Sequence, residues 1–142
     1  MRFFLPMRIP TKTHQEKRIV IRKGKPQVYE DKELQEARAK YEAYLAKYVP
    51  QKPLTGPVSL HVVWCFPIKG NHIEGDPKVT KPDTDNLIKL FKDCMTTAGF
   101  WKDDAQVFRE INEKYYSFRE GIYVEVVGGE TDREAASEKE RR

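Results

Sequence analysis

The chain is short of several things, and each shortage excludes a class of protein. It has only two cysteines, Cys65 and Cys94, among 142 residues, so a disulfide-stapled scaffold is excluded. No apolar run approaches the ~20 residues that a membrane-spanning helix needs, and no membrane partner is expected. The opening Met-Arg-Phe-Phe-Leu-Pro meets Arg8, Pro10 and Lys12 before an apolar core of useful length forms, so it does not read as a secretory signal. A reducing, cytoplasmic location is the expectation. No GxxxxGK[ST] sequence occurs, so no P-loop nucleotide cofactor is expected. Ser59 and Ser117 lack a partner His in any recognisable signature, and His61 and Cys65 have no second Cys or His close by in sequence. Serine-hydrolase and zinc chemistry are therefore disfavoured. There is no internal repeat.

What is present is aromatic residues and charge. Seven Tyr, seven Phe and two Trp can furnish a core, and the length fits a single domain. The formal net charge is a modest +4. It is unevenly spread: residues 1–28 carry eight Lys or Arg against Glu16 alone, a local excess of +7. A basic block ahead of a slightly acidic body predicts a surface that faces a polyanion, although a solvated hairpin without a partner would have the same composition.

The pattern of residues predicts the elements. Residues 2–9 read as a strand, interrupted by Pro6 and ended by Pro10. Arg18–Arg22 and Gln27–Tyr29 read as a hairpin about the turn Lys23-Gly24-Lys25-Pro26. Asp31 is placed to cap a helix that carries Leu34, Ala37, Tyr41 and Leu45 at helical spacing and runs to about Tyr48. Val58–Phe66 alternates cleanly and predicts a central strand. Residues 67–82 form a long loop. Leu87, Leu90, Phe91, Cys94 and Met95 mark a second amphipathic helix ended by Gly99. Residues 107–118 and 121–127 are expected to form an antiparallel hairpin about Glu120-Gly121. Residues 1–127 make one domain, and 128–142, without aromatic or bulky aliphatic residues, are expected to form a mobile tail.

The segment from Lys81 to Asp104 holds five aspartates. Asp83 and Asp85 lie two apart, which in extended chain puts both side chains on one side, where they can share a divalent cation. Asp85 as a helix N-cap would explain the pair without metal. Asp103 and Asp104 come after the same helix, so the chain must fold back for them to join the first pair; otherwise they cap the next strand. Lys89 lies four residues after Asp85 and four before Asp93, on one stripe of a helix. That stripe is either an exposed ion-pair ladder or places Lys89 against a phosphate. Carboxylates suit hard cations such as Mg²⁺ or Mn²⁺. Clustered Asp with a Lys is the composition needed for metal-assisted phosphodiester hydrolysis. Phe100 and Trp101 either stack on bases or, as expected here, pack the turn. His14 is expected to be exposed.

Asp83-Thr-Asp85-Asn86-Leu87-x-Lys89, followed by Ala98-Gly-Phe-Trp-Lys-Asp103-Asp104-Ala-Gln-Val107, resembles the signature of the RusA family of Holliday junction resolvases. The resemblance implies an α+β fold, a small mixed sheet with two main helices packed on one face, paired as a homodimer. It implies a Mg²⁺-dependent endonuclease, with Mn²⁺ substituting, that cuts four-way DNA junctions in recombination and repair. The family's three metal-binding aspartates match Asp83, Asp85 and Asp104, and its essential lysine matches Lys89. Asp103 is a weaker match for direct ligation, and Asn86 and Asp93 match supporting positions. Where some relatives carry a run of arginines before the first Asp, this chain has Lys78-Val-Thr-Lys81-Pro82. The residues expected to contact DNA are Lys12, Lys17, Arg18, Arg22, Lys23, Lys25 and Lys81. A non-catalytic DNA-binding phage protein of the same fold is the alternative, and a hydrolase of small phosphate esters would leave the basic block unexplained.

Overall fold

The computed structural model describes residues 1–11 and 17–129, with the backbone alone for 17–22 and 26–30. The elements run β1 (Arg2–Leu5), β2 (Lys17–Arg22), β3 (Lys25–Glu30), α1 (Lys32–Leu45), β4 (Val58–Pro67), α2 (Thr84–Ala98), a 3₁₀ turn (Asp104–Gln106), β5 (Val107–Ser117) and β6 (Gly121–Gly128). Four strands form one mixed sheet in the order β1-β6-β4-β5, and β2 and β3 form a separate ribbon. With two helices beside a mixed sheet, this is an α+β protein.

β4 is central, as its alternation predicts. Val58, Leu60, Val62, Trp64 and Phe66 are buried, while the intervening residues are half-buried. The buried set faces α1 and α2. Phe91 of α2 meets Tyr41 of α1 and Trp64 of β4 edge-on, with ring centroids 5.0 Å and 5.4 Å away, a preferred aromatic geometry. Asp31 caps α1 by accepting from the Glu33 amide. α1 stops at Leu45, and one further turn closes through Tyr48 N–H to the Leu45 carbonyl. Gly99 ends α2 in the left-handed conformation (φ 103°), which favours glycine.

Two expectations are corrected. The first strand stops at Leu5 rather than running to residue 9: Pro6 has no amide to donate, and the Met7 amide turns back to the Leu5 carbonyl. Met7 and Ile9 remain buried as an irregular extension. The second correction is topological. The last two strands do not pair with each other as a hairpin. β5 pairs in parallel with β4, and β6 pairs antiparallel with β4 on its other side and with β1. Burial explains the choice. Ile122, Val124 and Val126 of β6 are all buried on the helix side, which suits an interior strand. The residues of β5 that share that side are Glu110, Asn112 and Lys114, by their pairing with Leu60, Val62 and Trp64. Such residues belong at an edge, where a groove rather than the core receives them. β6 includes Gly128, and Gly129 packs on Leu54; of the segment expected to form a tail, residues 130–142 lie outside the described residues.

Candidate functional site

The chain enters α2 through Lys81-Pro82, joined by a cis peptide bond. Asp83 holds the N-cap position in extended backbone, and its side chain makes no capping hydrogen bond. Asp85 lies in the first turn. Capping therefore does not account for the pair. Both carboxylates are exposed, and the positive end of the helix dipole favours them there.

A cleft of about 650 Å³ opens between α2 and β5. Asp85, Ile88, Lys89, Lys92 and Asp93 line it from the helix, at the three- and four-residue spacing that shares one face. Asp104 lines it from the 3₁₀ turn, and Glu110 and Asn112 from β5. The chain thus does fold back, and several anchors bring it there. Phe100 and Trp101 are buried, which settles their role as packing. The Trp101 indole N–H donates to Thr96 at 2.7 Å, and the Leu54 amide donates to the Phe100 carbonyl at 2.8 Å. Asp103 caps the turn, accepting from Ala105 N–H, while Gln106 Oε1 accepts from the Asp103 amide. The Gln106 side-chain amide also donates to the carbonyls of Leu54 and Gly56. Asp103 is thereby engaged in holding the turn, and Asp104 is left exposed at the cleft.

The two cleft lysines differ. Lys92 Nζ lies 2.9 Å from Glu110 Oε1. Glu110 Oε2 accepts from Asn112, whose Oδ1 accepts from the buried Trp64 indole at 3.1 Å. A chain of hydrogen bonds anchored in the core thus fixes Glu110 and Lys92. Lys89 has no ion pair or side-chain hydrogen bond among the described residues, so it does not form the ladder with Asp85. Glu110, Asn112 and Lys92 were not singled out in the sequence. Their signal was present: Glu110, Asn112 and Lys114 are polar at every second position of a strand.

Asp83 faces a neighbouring hollow with Thr11, Lys81, Pro82 and Asn86. Among the described residues, no three His, Cys, Asp or Glu side chains form a ready-made cage for a metal ion. Of the residues expected to contact DNA, Lys23 and Lys25 are exposed at the tip of the β2–β3 ribbon and Lys81 is exposed beside Asp83. Lys17, Arg18 and Arg22 lie on β2, where the backbone alone is described, and Lys12 and His14 lie outside the described residues.

On the other face of the sheet, His61 of β4 pairs with Glu113 of β5, which also accepts from the Tyr115 hydroxyl. The Tyr115 hydrogen bond, then the one from His61, holds the Glu113 carboxyl below its usual range. The same carboxylate pushes the Tyr115 phenol up. Burial, with Glu74 nearby, raises the Cys65 thiol. No zinc-type cluster forms around His61 and Cys65 among the described residues.

The fold and cleft define a class: a small α+β protein whose sheet edge and helix frame an open, carboxylate-rich groove that also holds an exposed lysine. The chain belongs to the RusA endodeoxyribonuclease family, whose model matches residues 9–127. It is 33% identical over 102 residues to the crossover junction endodeoxyribonuclease rusA of Lactococcus phage r1t, covering 70% of this chain and 76% of that protein. No helix among the described residues is long and apolar enough to cross a membrane.

Proposed function

We propose that the chain is a Mg²⁺-dependent endodeoxyribonuclease, with Mn²⁺ able to substitute, that resolves four-way DNA junctions by paired phosphodiester hydrolysis in recombination and repair. The observation that carries this reading is one cleft, in a member of an endodeoxyribonuclease family, that holds Asp85, Asp104 and a Lys89 that is unpaired among the described residues. The phage relative is named for crossover junctions, which supports the choice of substrate.

Asp83, Asp85 and Asp104 would hold the ion. Their donors are hard carboxylate oxygens, which suit Mg²⁺ and Mn²⁺ and leave zinc disfavoured. An open group of this kind also suits Mg²⁺ because that ion retains several waters and takes one or two carboxylates together with substrate phosphates. When bound, the metal would polarise the phosphoryl oxygen and acidify a bound water. Lys89 would place its ammonium against the oxygens on which charge develops in the transition state. Asp103 keeps Asp104 in position. Glu110 and Lys92 line the same cleft. Lys81, with Lys12, Lys17, Arg18, Arg22, Lys23 and Lys25, would hold the DNA backbone. Cutting two strands calls for two such clefts, so the active form would be a homodimer.

The test is incubation with labelled four-way junction, linear duplex and flap DNA in Mg²⁺, Mn²⁺ or EDTA. Paired symmetric nicks confined to the junction, and only with metal, are expected. Salt-sensitive binding without cutting would instead favour the non-catalytic DNA-binding alternative.

A further inference from the structure

β5 runs past the acidic cleft to a second concavity. A hollow of about 230 Å³ is lined by Arg8, Lys69, Lys78 and Lys81, with Tyr116 and Phe66 among its walls. It shares Thr11, Lys81 and Pro82 with the hollow that Asp83 faces, so one path leads from the carboxylates to the cations. One carboxylate, Glu120, lies among the lining residues, and the Ile9 amide donates to it at 3.4 Å. Among the described residues, four cations against one carboxylate leave a surplus of positive charge in a confined space.

Arg8, Lys69, Lys78 and Lys81 make no salt bridge among the described residues. Lys78 is half-buried, with its Nζ 5.3 Å from the Phe66 ring and 5.2 Å from the Tyr116 ring. The aromatic faces hold the ammonium in place without cancelling its charge. Tyr116 is itself stacked on His72, with centroids 4.1 Å apart. Lys114 braces the rim by donating to the carbonyls of Thr80 and Pro82, both at 2.8 Å. Lys78 is thus held in place, and none of Arg8, Lys69 and Lys78 lines the acidic cleft.

We infer that this hollow binds a backbone phosphate of the nucleic-acid strand whose scissile phosphate lies in the acidic cleft. The inference rests on the proposed nuclease reading and adds a subsite to it. The strand register gives the spacing. Asn112 lines the cleft and Tyr116 the hollow, and four residues of strand span about 13 Å. The hollow therefore receives a phosphate within a few nucleotides of the cut on the same strand.

Two measurements on the full chain test this in Ca²⁺ or EDTA, where binding is read without cutting. The first is affinity for a four-way junction by fluorescence anisotropy from about 50 to 200 mM salt, for wild type and an Arg8→Ala/Lys69→Ala variant; both positions are exposed. Loss of the one phosphate contact should lower the salt slope by about one, which amounts to about a three- to fourfold smaller salt effect over that range. The second replaces single phosphates near the cut with neutral methylphosphonates. A substitution at one position within a few nucleotides of the cut should weaken wild-type binding and leave the variant unchanged. Competition with inorganic phosphate distinguishes a strand site from a free-anion site: displacement by millimolar phosphate alone would overturn the inference. So would an unchanged salt slope in a folded variant. A variant with the expected slope, from a wild type that cuts no junction, would keep the subsite and reject the nuclease reading.

Discussion

Lys89 and Lys92 stand three residues apart on one helix face and line the same cleft, yet the structure assigns them opposite tasks. Lys92 is 25% exposed in side chain and bonded to Glu110 at 2.9 Å. Lys89 is exposed and unpaired among the described residues. Lys89→Met therefore removes no ion pair or side-chain hydrogen bond among the described residues, and its stability should stay within about 0.5 kcal/mol of wild type. If Lys89 stabilises developing charge, its loss should slow cutting about 10²–10³-fold, equivalent to about 3–4 kcal/mol. Lys92→Met breaks a pair that is partly solvent-screened, so the loss of stability should be at most about 1 kcal/mol. It also leaves Glu110 held, among the described residues, by Asn112 alone, a positioning defect that should cost at most about 10–100-fold. Single-turnover cutting of a labelled junction, with urea unfolding of the same samples, reads both quantities. Lys89→Met should be the slower enzyme and Lys92→Met the less stable protein. The reasoning is refuted if Lys89→Met cuts at close to the wild-type rate, or if Lys92→Met is the slower of the two.

Three further outcomes are expected from particular contacts. Asp103→Ala should lose about 1 kcal/mol of stability through the lost cap and weaken Mn²⁺ binding only in part, whereas Asp104→Ala should keep its stability and lose most of its Mn²⁺ affinity; calorimetric titration and urea unfolding separate them. Gly121→Ala would bring a Cβ to 2.4 Å from the Leu5 carbonyl oxygen, so it should destabilise by about 1–3 kcal/mol or more. An unchanged urea midpoint would contradict the pairing of β6 with β1. Glu113 is held below its usual range by Tyr115 and His61, so its contribution is complete at neutral pH and fades as pH falls through the depressed value. The difference in Tm between wild type and Glu113→Gln should therefore shrink from about pH 7 toward about pH 3, and a difference constant with pH would count against it.

The parts of the fold fixed by local rules were readable in the sequence. The alternation of Val58–Phe66, the Asp31 cap and the Gly99 terminus each depend on a few neighbouring residues. Strand partnership depends on the whole sheet, and there the local turn at Glu120-Gly121 misled. The decisive contrast was buried Ile122, Val124 and Val126 in one strand against Glu110, Asn112 and Lys114 in the other. Read together, these place the first strand inside the sheet and the second at its edge. The same misplacement hid Glu110 and Asn112 as cleft residues, because a hairpin gave β5 the wrong neighbours. The stripe of Asp85, Lys89 and Asp93 was legible from helical spacing alone. The return of Asp104 to it was not, since it depends on Trp101, Leu54 and Gln106 pinning the turn. The hollow containing Arg8, Lys69 and Lys78 draws on three separate segments that only the tertiary fold brings together.

The central claim is that the carboxylates at the start of α2 and on the turn after it share a catalytic cation. Anomalous scattering from a crystal soaked in Mn²⁺ tests it most directly. The account predicts a peak bounded by Asp83, Asp85 and Asp104, with Lys89 at the cleft beside it, and loss of that peak in Asp85→Asn/Asp104→Asn. Mn²⁺ bound instead at His61 and Glu113, or a peak that survives both substitutions, would contradict it.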